Sequence, residues 1–179
     1  FQNFTWEWED DAKIDPNRGT MVLANHCSWW DGFWLYEWNR RELGKRFHVM
    51  MLEEQLEKRQ LLRYAGAYSI NKSNARSMVE TLQYTAAQLR DPQNLVLLFP
   101  QGKIESSYQS NPTFQKGAWR ILQQMDDPPQ ILACISTVDY FSERKPSVHL
   151  RVSELEFPET SASLRGPFLR SYQNAYQAQ

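Results

Sequence analysis

Met21-Val22-Leu23-Ala24-Asn25-His26-Cys27-Ser28-Trp29-Trp30-Asp31-Gly32 joins an apolar run to a segment patterned like a helix, and so reads as a strand-to-helix junction. On a continuous helix, residues five apart lie about 140° apart around the axis, so His26 and Asp31 would not share a face. The chain must therefore bend between them. With His26 in the turn and Asp31 in the first helical turn, the carboxylate can fold back and accept a hydrogen bond from one ring nitrogen. The other nitrogen is then left as a base. The same spacing suits plain capping: Ser28 and Asp31 also fit a capping box, with the serine oxygen on the amide three residues on and the carboxylate reaching back.

Outward from this junction the chain alternates strand and helix patterns. Upstream, Trp6 and Trp8 alternate around Glu7 as in a short edge strand, and Asp15-Pro16-Asn17-Arg18-Gly19 is a turn. Downstream, the pattern predicts a helix from Asp31 to about Leu43, a strand over Phe47–Leu52, a charged helix over Glu53–Arg63 and a strand over Gly66–Ile70. Ser73 is the expected N-cap of a helix in which Ala75, Met78, Val79, Leu82, Ala86 and Leu89 recur at helical spacing. Leu95–Phe99 is apolar throughout, as in a strand covered on both faces. An amphipathic helix carrying Ala118, Ile121, Leu122 and Met125 follows, then a buried strand over Gln130–Thr137 and an alternating strand over Ser147–Val152. Last comes a helix opened by Ser163. The implied fold is α/β: a single layered domain whose mostly parallel central sheet has about six or seven strands, with helices on both faces.

Composition narrows the function. The 179 residues suffice for one domain with a real core, taken as 1–179, with 1–18 readable as the remnant of a longer N-terminal segment. Twenty Lys+Arg against 21 Asp+Glu leave a net charge of -1, which sets nucleic-acid binding aside. Apolar runs such as Leu95–Phe99 fall far short of the ~20 residues of a spanning helix. Cys134 sits in the apolar run Ile131–Ile135 and reads as a small buried hydrophobe. Cys27 neighbours His26, but adjacent residues seldom face each other, so a thiol nucleophile carries little weight. Lacking a disulfide framework, the chain is expected in the cytoplasm. Tryptophans crowd around the junction, and Trp29, Trp30, Phe33 and Trp34 suit an apolar-polar boundary such as a membrane surface, against core packing for at least half of the local rings. His48 and His149 are expected to be structural.

In parallel sheets, ligands gather at the carboxyl ends of strands. Asn25-His26, Asn71-Lys72 and Pro100-Gln101-Gly102-Lys103 each follow a predicted strand and would share one rim. That convergence lifts His26 and Asp31 above capping alone.

Asn25-His26-x-x-x-x-Asp31, Gly66-Ala67-Tyr68-Ser69-Ile70-Asn71-Lys72, Phe99-Pro100-Gln101-Gly102 and Phe114-Gln115-Lys116-Gly117-Ala118 together resemble the ordered blocks of the glycerol-phosphate and lysophosphatidate acyltransferase superfamily, from about Thr20 to Thr137. The resemblance implies transfer of a fatty acyl group from an acyl-CoA or acyl-ACP thioester to a hydroxyl of a lysophospholipid or other amphiphilic acceptor. His26 would be the general base, Asp31 its orienting acid, and backbone amides near Gly102 candidates for oxyanion stabilisation. Asn25, Lys72, Gln101, Gly102 and Lys103 would bind substrate, and Trp29, Trp30, Phe33 and Trp34 would be candidates for an acyl groove. Neither a bound cofactor nor a metal is implied. The partners would be the acyl donor, a lipid-like acceptor and, for a protein peripheral on the inner membrane face, a lipid surface. The family's second block usually ends in arginine, where this chain has Lys72. Its third usually reads Phe-Pro-Glu-Gly-Thr-Arg, where this chain has Gln101, Lys103 and Ile104 at the glutamate, threonine and arginine. Lysine offers a phosphate a point charge rather than a fork. Two other readings use the same residues: a thioester hydrolase with water as acceptor, and a noncatalytic acyl-chain or acyl-carrier binding module.

Overall fold

Thr20–Ala24 and Asn94–Leu98 are buried at every position, so both faces of these strands need cover. A computed structural model, which describes residues 3–9 and 13–177, supplies it. The strands are β1 (Phe4–Trp8), β2 (Thr20–Ala24), β3 (Arg46–Leu52), β4 (Ala67–Ile70), β5 (Asn94–Leu98), β6 (Gln130–Asp139) and β7 (Ser147–Leu155). They form one sheet in the order β1-β7-β6-β2-β5-β3-β4. Every pairing is parallel except β6 with β7. The fold is thus the α/β arrangement expected, and β1 is the edge strand read from Trp6 and Trp8.

Helices α1 (Asp31–Trp38), α2 (Glu53–Glu57), α3 (Ala75–Leu89), α4 (Gly117–Leu122) and α5 (Ser161–Gln177) cover the faces unequally. Leu82 and Leu89 of α3, Ile121 of α4 and Phe168 of α5 pack with Met21, Leu23, Val96 and Ile131 on one face. Trp34, Leu35 and Trp38 of α1 pack with Val22, Leu97, Leu132 and Leu150 on the other. Parallel crossovers are right-handed, so connections advancing toward β4 and those returning toward β6 must lie on opposite faces. The neighbours β2 and β5 therefore send their outgoing chains apart, one into α1 and one toward α4, and a crevice opens between them at the strand carboxyl ends.

Some boundaries differ from expectation, each for a local reason. The first helix ends in a π-helical turn over Asn39–Leu43, closed by left-handed Gly44, whose N–H reaches the Asn39 carbonyl at 2.7 Å. The expected helix over Glu53–Arg63 is instead α2 followed by a 3₁₀ turn over Gln60–Ala65. Arg59 breaks it at φ -142°, ψ 54°, with its guanidinium 4.2 Å over the Trp29 ring. Asn74, not Ser73, caps α3: its side chain accepts from Ser77 N–H, while Ser73 N–H is held by Asn71. The last helix starts at Ser161 rather than Ser163, whose N–H is capped by the Thr160 hydroxyl at 3.1 Å.

Gly66 shows how tightly the β3–β4 crossover is drawn. At φ +88° a Cβ would lie 1.8 Å from the Phe47 carbonyl oxygen, whereas left-handed Gly44 has nothing within 4 Å. Gly66→Ala should therefore lower unfolding free energy by roughly 2 kcal/mol or more, and Gly44→Ala by about 1 kcal/mol. Urea titration of both variants checks this; equal losses would contradict it.

Candidate functional site

The loop leaving β2 is bent by a single buried carboxylate. Asp31 is 0% exposed, and its Oδ2 accepts from Cys27 N–H at 2.8 Å and Ser28 N–H at 2.9 Å while lying 2.9 Å from His26 Nδ1. An oxygen already receiving two backbone donors acts as acceptor toward the third, so the proton between it and the ring belongs to Nδ1. His26 Nε2 is then the unprotonated nitrogen. Capping and chemistry are not rivals here. Asp31 does reach back to Ser28 N–H as in a capping box, but the Ser28 hydroxyl accepts from Trp30 N–H at 3.1 Å, and the carboxylate also holds the imidazole.

The loop after β5 grips His26 by its backbone. His26 N–H donates to Gln101 Oε1, and His26 C=O accepts from Glu105 N–H at 2.9 Å. Gln101 Nε2 donates to Glu105 Oε2 at 3.1 Å, closing the ring, and Thr113 anchors Glu105 through N–H and hydroxyl at 2.9 and 2.6 Å. The His26 ring stacks on Phe99 with centroids 4.1 Å apart. From behind, Asn25 Oδ1 accepts from Ser136 N–H at 2.8 Å, and Asn25 Nδ2 donates to Ser136 C=O at 2.9 Å and Tyr176 Oη at 3.2 Å. Position and orientation of the imidazole are thus fixed from α1, β5, β6 and α5 together.

His26 opens onto a cleft of about 760 Å³, in the range of small-molecule sites. Its walls are mostly apolar and include Phe47, Val49, Met51, Leu52, Leu62 and Ile104. Trp29, Phe33, Lys72, Gly102 and Lys103 also line it. The three strand-end segments do converge: Lys72 Nζ donates to Gln115 Oε1 at 3.1 Å and to the Gly102 carbonyl at 3.4 Å.

Several sequence candidates take other places. Asn25 and Gln101 are 1% and 2% exposed, outside the cleft lining, with side chains spent holding the loops; they position His26 rather than line the cleft. Trp34 is core, and Trp30 is exposed against Phe33 rather than in the groove. Gly102 N–H donates to Phe99 C=O at 3.0 Å, so that amide is already used within its turn and is no oxyanion donor. His149, expected without a carboxylate, has Nε2 3.5 Å from Glu7 and Nδ1 2.8 Å from Thr5 Oγ1 on neighbouring β1. His48 is half-buried, and burial lowers its pKa. Glu105, Thr113, Gln115 and Tyr176 went unrecognised as supports. Glu105 and Thr113 lie in a polar stretch with no periodicity, and the Tyr176 contact to Asn25 spans 151 residues.

The family described as Acyltransferase has a model that matches residues 6–136. No curated protein matches the chain.

Burial, followed by the Asp31 charge, pushes the Cys27 thiol from 9.0 up to about 12, and Cys134 is raised by burial alone. Iodoacetamide at pH 8 should therefore modify the folded protein on the order of a thousandfold more slowly than an unperturbed thiol, with both cysteines labelled after denaturation. Intact-mass measurement reads the difference; fast single labelling of the native chain would contradict it.

Proposed function

We propose, from the premise that this chain belongs to the acyltransferase family and acts in acyl transfer, that it is an O-acyltransferase moving a fatty acyl group from a thioester of coenzyme A or acyl carrier protein to the hydroxyl of an amphiphilic acceptor. The observation that carries this reading is one imidazole with Nδ1 tied to a buried carboxylate at 2.9 Å and its ring at the wall of an apolar cleft.

In the proposed reaction the acceptor hydroxyl lies against His26 Nε2. The nitrogen takes the proton as the oxygen attacks the thioester carbonyl carbon, forming a C–O bond and a tetrahedral oxyanion. Collapse breaks the C–S bond, and the departing sulfur takes the proton from the imidazolium, so ester and thiol leave and the base is restored. Asp31 supports the step by holding the ring's tautomer and offsetting the charge formed on it. The base supplies about 10²–10⁴-fold, and alignment of the two substrates in the mostly apolar cleft supplies much of the rest. Lys72 and Lys103 are the cleft cations nearest in character to an oxyanion partner.

Acyl-CoA turnover with an alcohol acceptor, followed by thiol release and ester formation, tests the reading. His26→Ala should lose about 10²–10⁴-fold in kcat, and Asp31→Asn about 10²-fold with added loss of stability from two undercapped amides. Full activity in His26→Ala would remove the base. Thiol release that yields free fatty acid at the same rate with and without acceptor would convert the assignment to a hydrolase.

Because both substrates are amphiphiles, the cleft mouth is proposed to meet a lipid surface. Among the described residues no helix is long and apolar enough to cross a membrane. Leu61 and Tyr64 are 80% and 92% exposed in the 3₁₀ turn that lines the cleft, following Lys58 and Arg59. Paired Leu61→Ser and Tyr64→Ser changes should lower partition onto anionic vesicles about tenfold in a flotation assay. Unchanged flotation would remove the docking role.

A further inference from the structure

The cleft sorts its polar groups unevenly. Of its lining residues only His26, Lys72 and Lys103 can carry positive charge, and none is an arginine. Lys72 has two of its three N–H bonds directed at Gly102 C=O and Gln115 Oε1. The Lys103 ammonium lies 3.6 Å from the buried Glu105 carboxylate. Burial pushes that acid up, but hydrogen bonds from Thr113 and Gln101 more than offset it and keep the group below the usual carboxylate range. Beside them Ile104, half exposed, presents an apolar side chain to the cleft.

A phosphate monoester would therefore meet two compact ammonium groups, one already engaged and one already neutralised, with a fixed negative charge behind it. The side chain that holds a phosphate bidentately is the planar guanidinium fork, and the described lining contains none. A hydroxyl on an uncharged head group asks for less and fits what is present: apolar flanks at Ile104 and Phe99, the one Lys72 N–H not directed at Gly102 or Gln115, and the free nitrogen of His26.

We propose that the acceptor is an amphiphilic alcohol with an uncharged head group, not a phosphate monoester, and that Ile104 is a residue setting this preference. The proposal rests on the acyl-transfer reading above. It is tested with one acyl-CoA and two acceptors that share a chain and differ only in phosphate, 1-monoacylglycerol and 1-acylglycerol 3-phosphate. The uncharged acceptor should show kcat/KM at least about tenfold higher, the size expected when a charged group enters a site lacking its partners. Ile104→Arg, at a half-exposed position that tolerates a long side chain, should shift the ratio about tenfold toward the phosphate acceptor. Faster use of the phosphate acceptor by the unmodified protein, or an unmoved ratio in Ile104→Arg, overturns the proposal while leaving acyl transfer intact. Ester formation from neither acceptor, with no thiol release, fails the underlying reading instead.

Discussion

One carboxylate oxygen organises the site. Asp31 Oδ2 gathers the N–H groups of Cys27, Ser28 and the His26 ring in a place closed to solvent. Two of those contacts fold the backbone and the third orients the imidazole, so local structure and chemistry depend on the same atom. A buried acid is costly unless its lone pairs are filled, and here the filling is what turns the chain sharply enough to face a ring outward. The turn and the tautomer therefore share that one atom, while the loop after β5 and the Phe99 ring add their own hold on the imidazole.

The sheet decides where that turn points. The chains leaving β2 and β5 diverge to opposite faces, so the loops they carry stand on either side of a crevice while remaining bonded through Gln101 and Glu105. Helix cover is heavy on one face and light over β3, where the cleft runs past Phe47 and Val49. An apolar cavity beside a polar rim is what a thioester bearing a hydrocarbon chain requires. It arises from ordinary crossover handedness rather than from any special element.

Much of this was legible in the residues. Continuous apolar runs at β2, β5 and β6 announced central strands, and the His26 to Asp31 spacing announced a turn stabilised from within. What was not legible is instructive. Asn25 and Gln101 look like ligand groups in a list of motif residues. Their burial depends on β6 and on Glu105, partners set by the sheet rather than by local pattern. Arg59 interrupts an otherwise helical stretch for the sake of Trp29, thirty residues earlier. Tyr176 lies beyond the segment that matches the family, yet its hydroxyl meets Asn25. Such long-range pairs carry no periodic signature, and only the assembled sheet reveals them.

The pairing of β1 with β7 has a bearing on how the protein comes to exist at all. Phe4 lies beside Val148, and Trp8 beside Val152, so β1 has no place in the sheet until the ribosome has made a segment 144 positions later. At about 5–20 residues per second that interval lasts several seconds or more, during which Trp6 and Trp8 lack the sheet they pack against. Those rings are open to other apolar surfaces for that time, and this edge of the sheet closes only after β7 has emerged.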